Sequence, residues 1–278
     1  MSDIVVSAEW LADRLDSVRV VDVRDAWEYD GIGHIPGAVN VPFEDFRADE
    51  HAVDSETGVD RSDTGGRDEG GEGMLPGADV FAGLMREAGI TREDDVVAYD
   101  DHHGVFAARF LVTAQLYGHP VDGLHLLDGD FSAWQRARET TTETPAPEPT
   151  TYEIRPPAET PLVDADAVAA AIDDAGTLIV DTREDWEFAE GHIPGAIRLD
   201  WRTLVDDETR GLKPRAEMER VLDERGITPE KRVLLYCNTA RRISHTYVVL
   251  RHLGYPDLAF YEGSLTEWEA AGRPVDRD

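Results

Sequence analysis

The 278-residue chain reads as an α/β protein made of two doubly wound parallel-sheet domains in tandem. Three observations predict this. One long segment occurs twice, strand-like and helix-like runs alternate within each half, and a proline-rich stretch separates the halves.

The repeated segment is Asp22-Val-Arg24 through Trp27-Glu28-Tyr29 to His34-Ile-Pro-Gly-Ala38. Its second occurrence is Asp181-Thr-Arg183 through Trp186-Glu187-Phe188 to His192-Ile-Pro-Gly-Ala196, with one residue of slack. Each copy follows an apolar β-branched run, Val18 to Val23 and Leu178 to Val180, which reads as a buried strand. The Trp-Glu segments suit short helices. Pro-Gly then punctuates, and Ala-Val-Asn-Val or Ala-Ile-Arg-Leu suits a following strand. A second pair of strands is Val96 to Tyr99 and Val233 to Tyr236. Both lead through a polar loop into an apolar helical run, Phe106 to Gly118 and Ile243 to Gly254. Each half ends on another strand, a glycine turn at Gly129 or Gly263, and Trp134 or Trp268. Strands alternating with helices predict a parallel sheet covered on both faces. The predicted division is residues 1–140, a linker at 141–157, and 158–278. Thr140 to Thr151 is rich in proline and poor in apolar residues, hence extended. Asp54 to Gly73, rich in Asp, Glu, Gly and Ser, reads as a solvated loop inside the first domain, its order left open by the sequence.

The charge is −31, from 58 acidic and 27 basic residues, and Lys213 and Lys231 are the only lysines. An excess of this size, spread over both halves, repels nucleic acid and anionic membranes, so neither is an expected partner. The composition resembles that of salt-in halophiles, where high salt screens the self-repulsion. No apolar run approaches the roughly 20 residues of a membrane span. The acidic start Met1-Ser2-Asp3 shows no signal peptide, so the expected location is cytoplasmic. One cysteine, Cys237, excludes an intramolecular disulfide and any metal site built from thiolates. A lone cysteine is most often a small buried hydrophobe.

Its surroundings argue otherwise. The paired Asp-x-Arg…His-Ile-Pro-Gly-Ala segments, the strand-Cys237-loop-helix unit and the closing Phe260-Tyr-Glu-Gly-Ser-Leu-Thr-Glu-Trp268 resemble the rhodanese family, specifically its tandem-domain thiosulfate and 3-mercaptopyruvate sulfurtransferases. The resemblance covers nearly the whole chain. It implies rhodanese-like domains in tandem, with the nucleophile Cys237 in the second. The first has Asp100 in the matching place after Tyr99, and is expected to be catalytically silent, since a carboxylate cannot carry sulfane sulfur.

A strand ending at Tyr236 and a helix starting near Arg241 or Arg242 would wrap a loop around Cys237. Backbone N–H groups aimed at the sulfur, the helix N-terminus and two arginines all favour thiolate over thiol. The implied reaction moves sulfur from a donor such as thiosulfate to cyanide or a thiol through a Cys237 persulfide, without cofactor or metal. With no second cysteine, the acceptor must be external.

Arg242 is expected to bind the donor anion, Arg241 less decisively. Asn238 and Thr239 fall at loop positions that set donor preference in the family. Ala240 stands where the family has glycine, and strains the loop by roughly 1 kcal/mol if φ is positive there. Arg109, in Phe106-Ala-Ala-Arg109, resembles an arginine that reaches across the domain interface to the donor, the alternative being an interface ion pair. Asp22, Arg24, Asp181 and Arg183 read as structural, as do His34 and His192, which stand in both copies. Asp101, His102 and His103 lack a further ligand at metal-site spacing and read as solvated loop.

Two other readings are weaker. A related dual-specificity phosphatase leaves five residues between its cysteine and arginine; here that spacing falls on Ile243, and Arg242 comes one residue early. A non-catalytic rhodanese-like binding module would have lost the cysteine from both copies. Between donors, the Arg241-Arg242 pair favours thiosulfate over 3-mercaptopyruvate. A monomer is expected.

Overall fold

The computed structural model describes residues 3–48 and 75–277. The acidic loop expected at 54–73 lies outside these residues. The described residues form two sheets, and every strand pairing within them is parallel.

The first sheet has the order β1(Val5–Val6), β5(Leu124–Leu127), β4(Val96–Tyr99), β2(Arg19–Asp22), β3(Val39–Asn40). The second has the order β7(Ile197–Arg198), β6(Thr177–Asp181), β8(Arg232–Tyr236), β9(Leu258–Phe260). Leu162 adds a one-residue parallel bridge to Phe260, in the place that β1 holds in the first sheet. The central strands are buried on both faces, which is why they read as unbroken apolar runs.

Helices cover both sheets. In the first domain these are α1(Ala8–Ala12), α2(Ala26–Gly31), α3(Ala78–Glu87), α4(Val105–Leu116) and α5(Asp130–Ala137). In the second they are α6(Ala165–Ala171), α7(Asp185–Glu190), α8(Arg215–Asp223), α9(Arg241–Leu253) and α10(Ser264–Ala270). Among the described residues no helix is long and apolar enough to cross a membrane. The helices α4 and α9 pack against each other, so the inner faces of both sheets join one apolar core. The outer face of each sheet has a core of its own.

The segment expected to be a linker carries no regular helix or strand, yet it is fastened to the first domain. Thr141 bridges His34, Thr150 Oγ1 donates to the Ile90 carbonyl at 2.6 Å, and buried Tyr152 lies beside His119. Gly118, at φ +92°, lets the backbone of Arg155 approach so closely that a Cβ would sit 1.8 Å from its carbonyl oxygen. The segment therefore runs as a strap over the first domain, a docking that its proline-rich composition did not reveal.

Candidate active site

The repeated acid and base do the same work in both domains. Arg183 donates from Nε and Nη2 to the Asp181 carboxylate at 2.6–3.0 Å, and from Nη2 to the Gly191 carbonyl at 2.6 Å. Arg24 does likewise with Asp22 and with the carbonyl of Gly33 at 2.8 Å. All four side chains are buried, so each charge is compensated where water cannot reach it. The pair ties the end of the strand to the turn before His-Ile-Pro-Gly. There the tyrosine that precedes the loop accepts a backbone N–H, from Ile193 to Tyr236 and from Ile35 to Tyr99. His34 and His192 stack on Tyr29 and Phe188, with ring centroids 3.7 and 3.8 Å apart, and hydrogen-bond their carbonyls. These residues set the platform on which each loop stands.

The loops themselves differ in one instructive way. In the first domain Asp100 is buried, and its carboxylate accepts four backbone N–H bonds at 2.7–3.0 Å, from His102, Gly104, Phe106 and Ala107. The loop is therefore an anion cradle, filled here by its own side chain. Gly104 caps α4 with φ +83°; Ala240 caps α9 with φ +61°. Counted from these caps, Gly104, Phe106 and Ala107 correspond to Ala240, Arg242 and Ile243. The N–H groups of those three residues find no protein acceptor among the described residues. The second loop is the same cradle, one residue shorter, with Cys237 where the carboxylate stands in the first.

Cys237 is 1% exposed. Its N–H donates to Ser264 Oγ at 3.1 Å and its carbonyl accepts from Leu265 N at 3.0 Å, so β8 is anchored to the start of α10. Ala240 does carry the positive φ that its position required, and its methyl group is buried. The strain of roughly 1 kcal/mol is comparable to what burying that methyl returns.

Arg241 and Arg242 part company in space. Both terminal nitrogens of Arg242 fork onto the Glu187 carboxylate, with Nη2 2.8 Å from Oε1. Burial alone would lower the Arg242 pKa, but Glu187 and the nearby Cys237 raise it. Glu187 also accepts from Asn238 Nδ2 at 2.9 Å, and Asn238 Oδ1 accepts from Arg183. Arg242 thus ends on a carboxylate that fastens two loop residues to α7. Arg241 ends instead over the Phe106 ring of the first domain, its guanidinium carbon 4.9 Å from the centroid. Burial and the Arg242 charge pull its pKa down, with Cys237 acting in the opposite sense. Thr239 accepts the Arg241 N–H on its carbonyl and shapes the turn. Arg109 crosses the domain interface, where Glu262 takes both of its terminal nitrogens.

Sequence reasoning passed over Glu187 and Ser264. The signal for Glu187 was present in the twice-occurring Trp-Glu. It also placed His103 in solvent. The structure corrects this: His103 lies in the interface, its ring 6.2 Å from Trp201 and its Nδ1 3.2 Å from the Arg210 carbonyl. The described residues hold no cluster of histidine, cysteine and carboxylates able to ligate a metal.

His245, on α9, is fully buried against Trp201, and neither ring nitrogen has a hydrogen-bond partner among the described residues. Burial lowers its pKa to about 3, with the His103 charge acting in the same sense and the His103 backbone opposing it. The folded state thus refuses a proton that the unfolded chain takes up near the ordinary value of about 6.5. Stability is full above that value and falls as pH drops from there towards 3. Between pH 6.5 and 5 the loss from this one residue is about 2 kcal/mol. Urea unfolding across that range should show His245→Phe losing less stability than the parent by this amount; parallel slopes would contradict the assignment.

The Rhodanese-like domain family matches residues 7–137 and again 164–271. The thiosulfate sulfurtransferase of Pseudomonas aeruginosa is 32% identical, covering 95% of this chain and 93% of that protein. A thiosulfate sulfurtransferase of Corynebacterium glutamicum is also 32% identical, over 95% of this chain and 87% of its own length. Among solved structures, the 3-mercaptopyruvate sulfotransferase SseA of Escherichia coli superimposes with a TM-score of 0.75 at 25% identity, covering 95% of this chain and 99% of SseA. The anaerobic ergothioneine biosynthesis enzyme of Chlorobium limicola has a TM-score of 0.79 at 20% identity, over 99% of this chain and 70% of that one, and shares the fold.

Proposed function

This chain belongs to the rhodanese family, with two of its domains in tandem, and on that premise we propose that it is a thiosulfate sulfurtransferase whose one sulfur carrier is Cys237. The observation that carries the proposal is the cradle. In the first domain it holds a carboxylate on four N–H groups; in the second the matching N–H groups of Ala240, Arg242 and Ile243 have no acceptor among the described residues, on the loop that carries Cys237.

In the proposed reaction the Cys237 thiolate attacks the outer sulfur of thiosulfate. A Cys–S–S bond forms, the S–S bond of thiosulfate breaks, and sulfite leaves with its electron pair. The anionic persulfide rests against the N–H groups of Ala240, Arg242 and Ile243, as Asp100 rests in its own loop. Cyanide or an external thiol then takes the outer sulfur and returns Cys237 to the thiolate.

Arg241 is the cation we assign to the donor oxygens, because among the described residues no carboxylate pairs with it. Arg242 is held by Glu187 and Arg109 by Glu262, so either contributes to donor binding only when its partner lets go. Asn238, Thr239 and Ala240 complete the donor side of the loop. The first domain is silent, and the division at 1–140, 141–157 and 158–278 is part of the same reading. A single thiol that must stay reduced supports a cytoplasmic setting. The acidic excess supports high salt and argues against nucleic acid as a partner, and the internal α4–α9 interface supports a monomer.

The structural likeness to a 3-mercaptopyruvate sulfotransferase defines the test. We expect kcat/KM for thiosulfate to exceed that for 3-mercaptopyruvate by severalfold, a gap of about 1 kcal/mol in transition-state binding. The reverse ranking would move the assignment to the other donor.

A further inference from the structure

One glutamate occurs at the same place in both domains and meets different partners. Glu28 and Glu187 each stand third in their helix and close a capping box, accepting the N–H of Asp25 at 3.2 Å and of Glu184 at 3.0 Å. That much is shared by the silent and the cysteine-bearing copy, so it belongs to the fold.

Beyond the cap the copies diverge. Counted from Asp100 and Cys237, Asp101 corresponds to Asn238; counted from the caps of α4 and α9, Phe106 corresponds to Arg242. In the first domain Glu28 meets the Asp101 carboxyl, and burial followed by the Asp101 charge pushes its own carboxyl above the ordinary range. No arginine forms an ion pair with Glu28 among the described residues. In the second domain Glu187 takes the Asn238 amide at 2.9 Å and both terminal nitrogens of Arg242. Burial pushes the Glu187 carboxyl up, but the bonds and charge of Arg242 prevail and hold it below the ordinary range. The clamp exists only where the loop carries a cysteine, which separates it from helix capping.

The clamp has an electrostatic consequence. Arg241 and Arg242 are neighbours on the loop, yet Arg242 is matched by a carboxylate and Arg241 is not, among the described residues. We propose that Glu187 is a specificity-determining residue of the Cys237 loop, withholding the Arg242 charge from the donor and so limiting how strongly the loop favours dianions. The proposal rests on the reading of this loop as the sulfur-donor site. A second free guanidinium would grip the departing sulfite as firmly as the arriving thiosulfate, since both are dianions. Binding gained in that way is uniform and adds nothing to the chemical step.

Calorimetric titration of the full-length Cys237→Ser chain, which cannot exchange sulfur, tests this at one fixed ionic strength. The probes are thiosulfate, a dianion, and 3-mercaptopyruvate, a monoanion. Glutamine at 187 keeps the size and an acceptor oxygen for the Asn238 amide but carries no charge. Adding Glu187→Gln is expected to tighten thiosulfate about fivefold and 3-mercaptopyruvate only about twofold, because the Coulomb gain scales with ligand charge. Adding Arg242→Gln instead leaves the Glu187 charge bare and should weaken thiosulfate about fivefold. With both substitutions the two charges vanish together, and the Kd should return to within about twofold of the starting chain. A merely structural glutamate predicts weaker binding of both probes in Glu187→Gln, and that result would overturn the proposal. A double variant as weak as Arg242→Gln alone would overturn it too, since Arg242 would then touch the donor in the resting protein. The double variant holds no stranded charge, so it decides the matter even where a single variant does not fold. A starting chain that binds neither probe also ends the proposal, whereas the sulfurtransferase reading falls only if the parent takes up no sulfur.

Discussion

Cys237→Ser is expected to lower thiosulfate turnover by on the order of 10³-fold or more while leaving the fold intact. The argument is one of elimination and placement. No other side chain in the protein can form a persulfide, because Cys237 is the single cysteine. A serine hydroxyl fills nearly the same space and can accept from the cradle N–H groups, so the stability cost stays within about 1–3 kcal/mol. That is a fraction of the roughly 5–15 kcal/mol of a typical domain. Incubation of the parent with thiosulfate should add about 32 Da to the intact mass, the first reversible step of thiol chemistry, and the variant should gain nothing. Near-ultraviolet circular dichroism should superimpose for the two proteins. Turnover persisting in the variant would remove Cys237 from the mechanism. A folded parent that takes sulfur from none of several donors would sink the enzyme reading altogether and leave the binding module.

The fold was legible because the chain states it twice. Each α-helix and each strand except β1, whose place Leu162 takes with a single bridge, has a counterpart in the other half, so a local ambiguity in one copy is resolved by the other. The cradle was partly legible: a family glycine position occupied by Ala240 pointed to positive φ, and the backbone has it. Contacts made across the two domains were not legible. Arg109 meets Glu262 across 153 positions, and His103 meets the second domain through Arg210 across 107. Nothing in periodicity or local propensity encodes such a partner, because it is set by how α4 and α9 pack. The partner of Arg242 was hidden for a related reason. Its place near the cysteine was readable, but Glu187 competes for the guanidinium from a different helix, and only the folded chain brings the two together. The docking of residues 141–157 escaped notice because composition reports the absence of regular structure, not the absence of contacts.

Arg109→Ala is expected to cost about 3–5 kcal/mol of stability. The side chain is fully buried, and its terminal nitrogens lie 2.9 and 2.5 Å from the two Glu262 oxygens. Truncation opens a cavity in the interface and strands a carboxylate whose side chain is only 18% exposed. The effect should also reach Cys237, because Glu262 is followed within two residues by Ser264, whose hydroxyl takes the Cys237 N–H. Two roles are separable. Arg109→Met keeps most of the volume and still strands Glu262, whereas pairing it with Glu262→Gln removes the stranded charge. If Arg109 serves the interface alone, the double variant recovers both stability and kcat/KM for thiosulfate. If it also reaches the donor, stability returns but kcat/KM stays low. A loss below about 1 kcal/mol in Arg109→Ala would show that the ion pair is dispensable to the fold. An unchanged kcat/KM in every Arg109 variant would end the donor assignment and leave the cradle N–H groups and Arg241 to hold the anion.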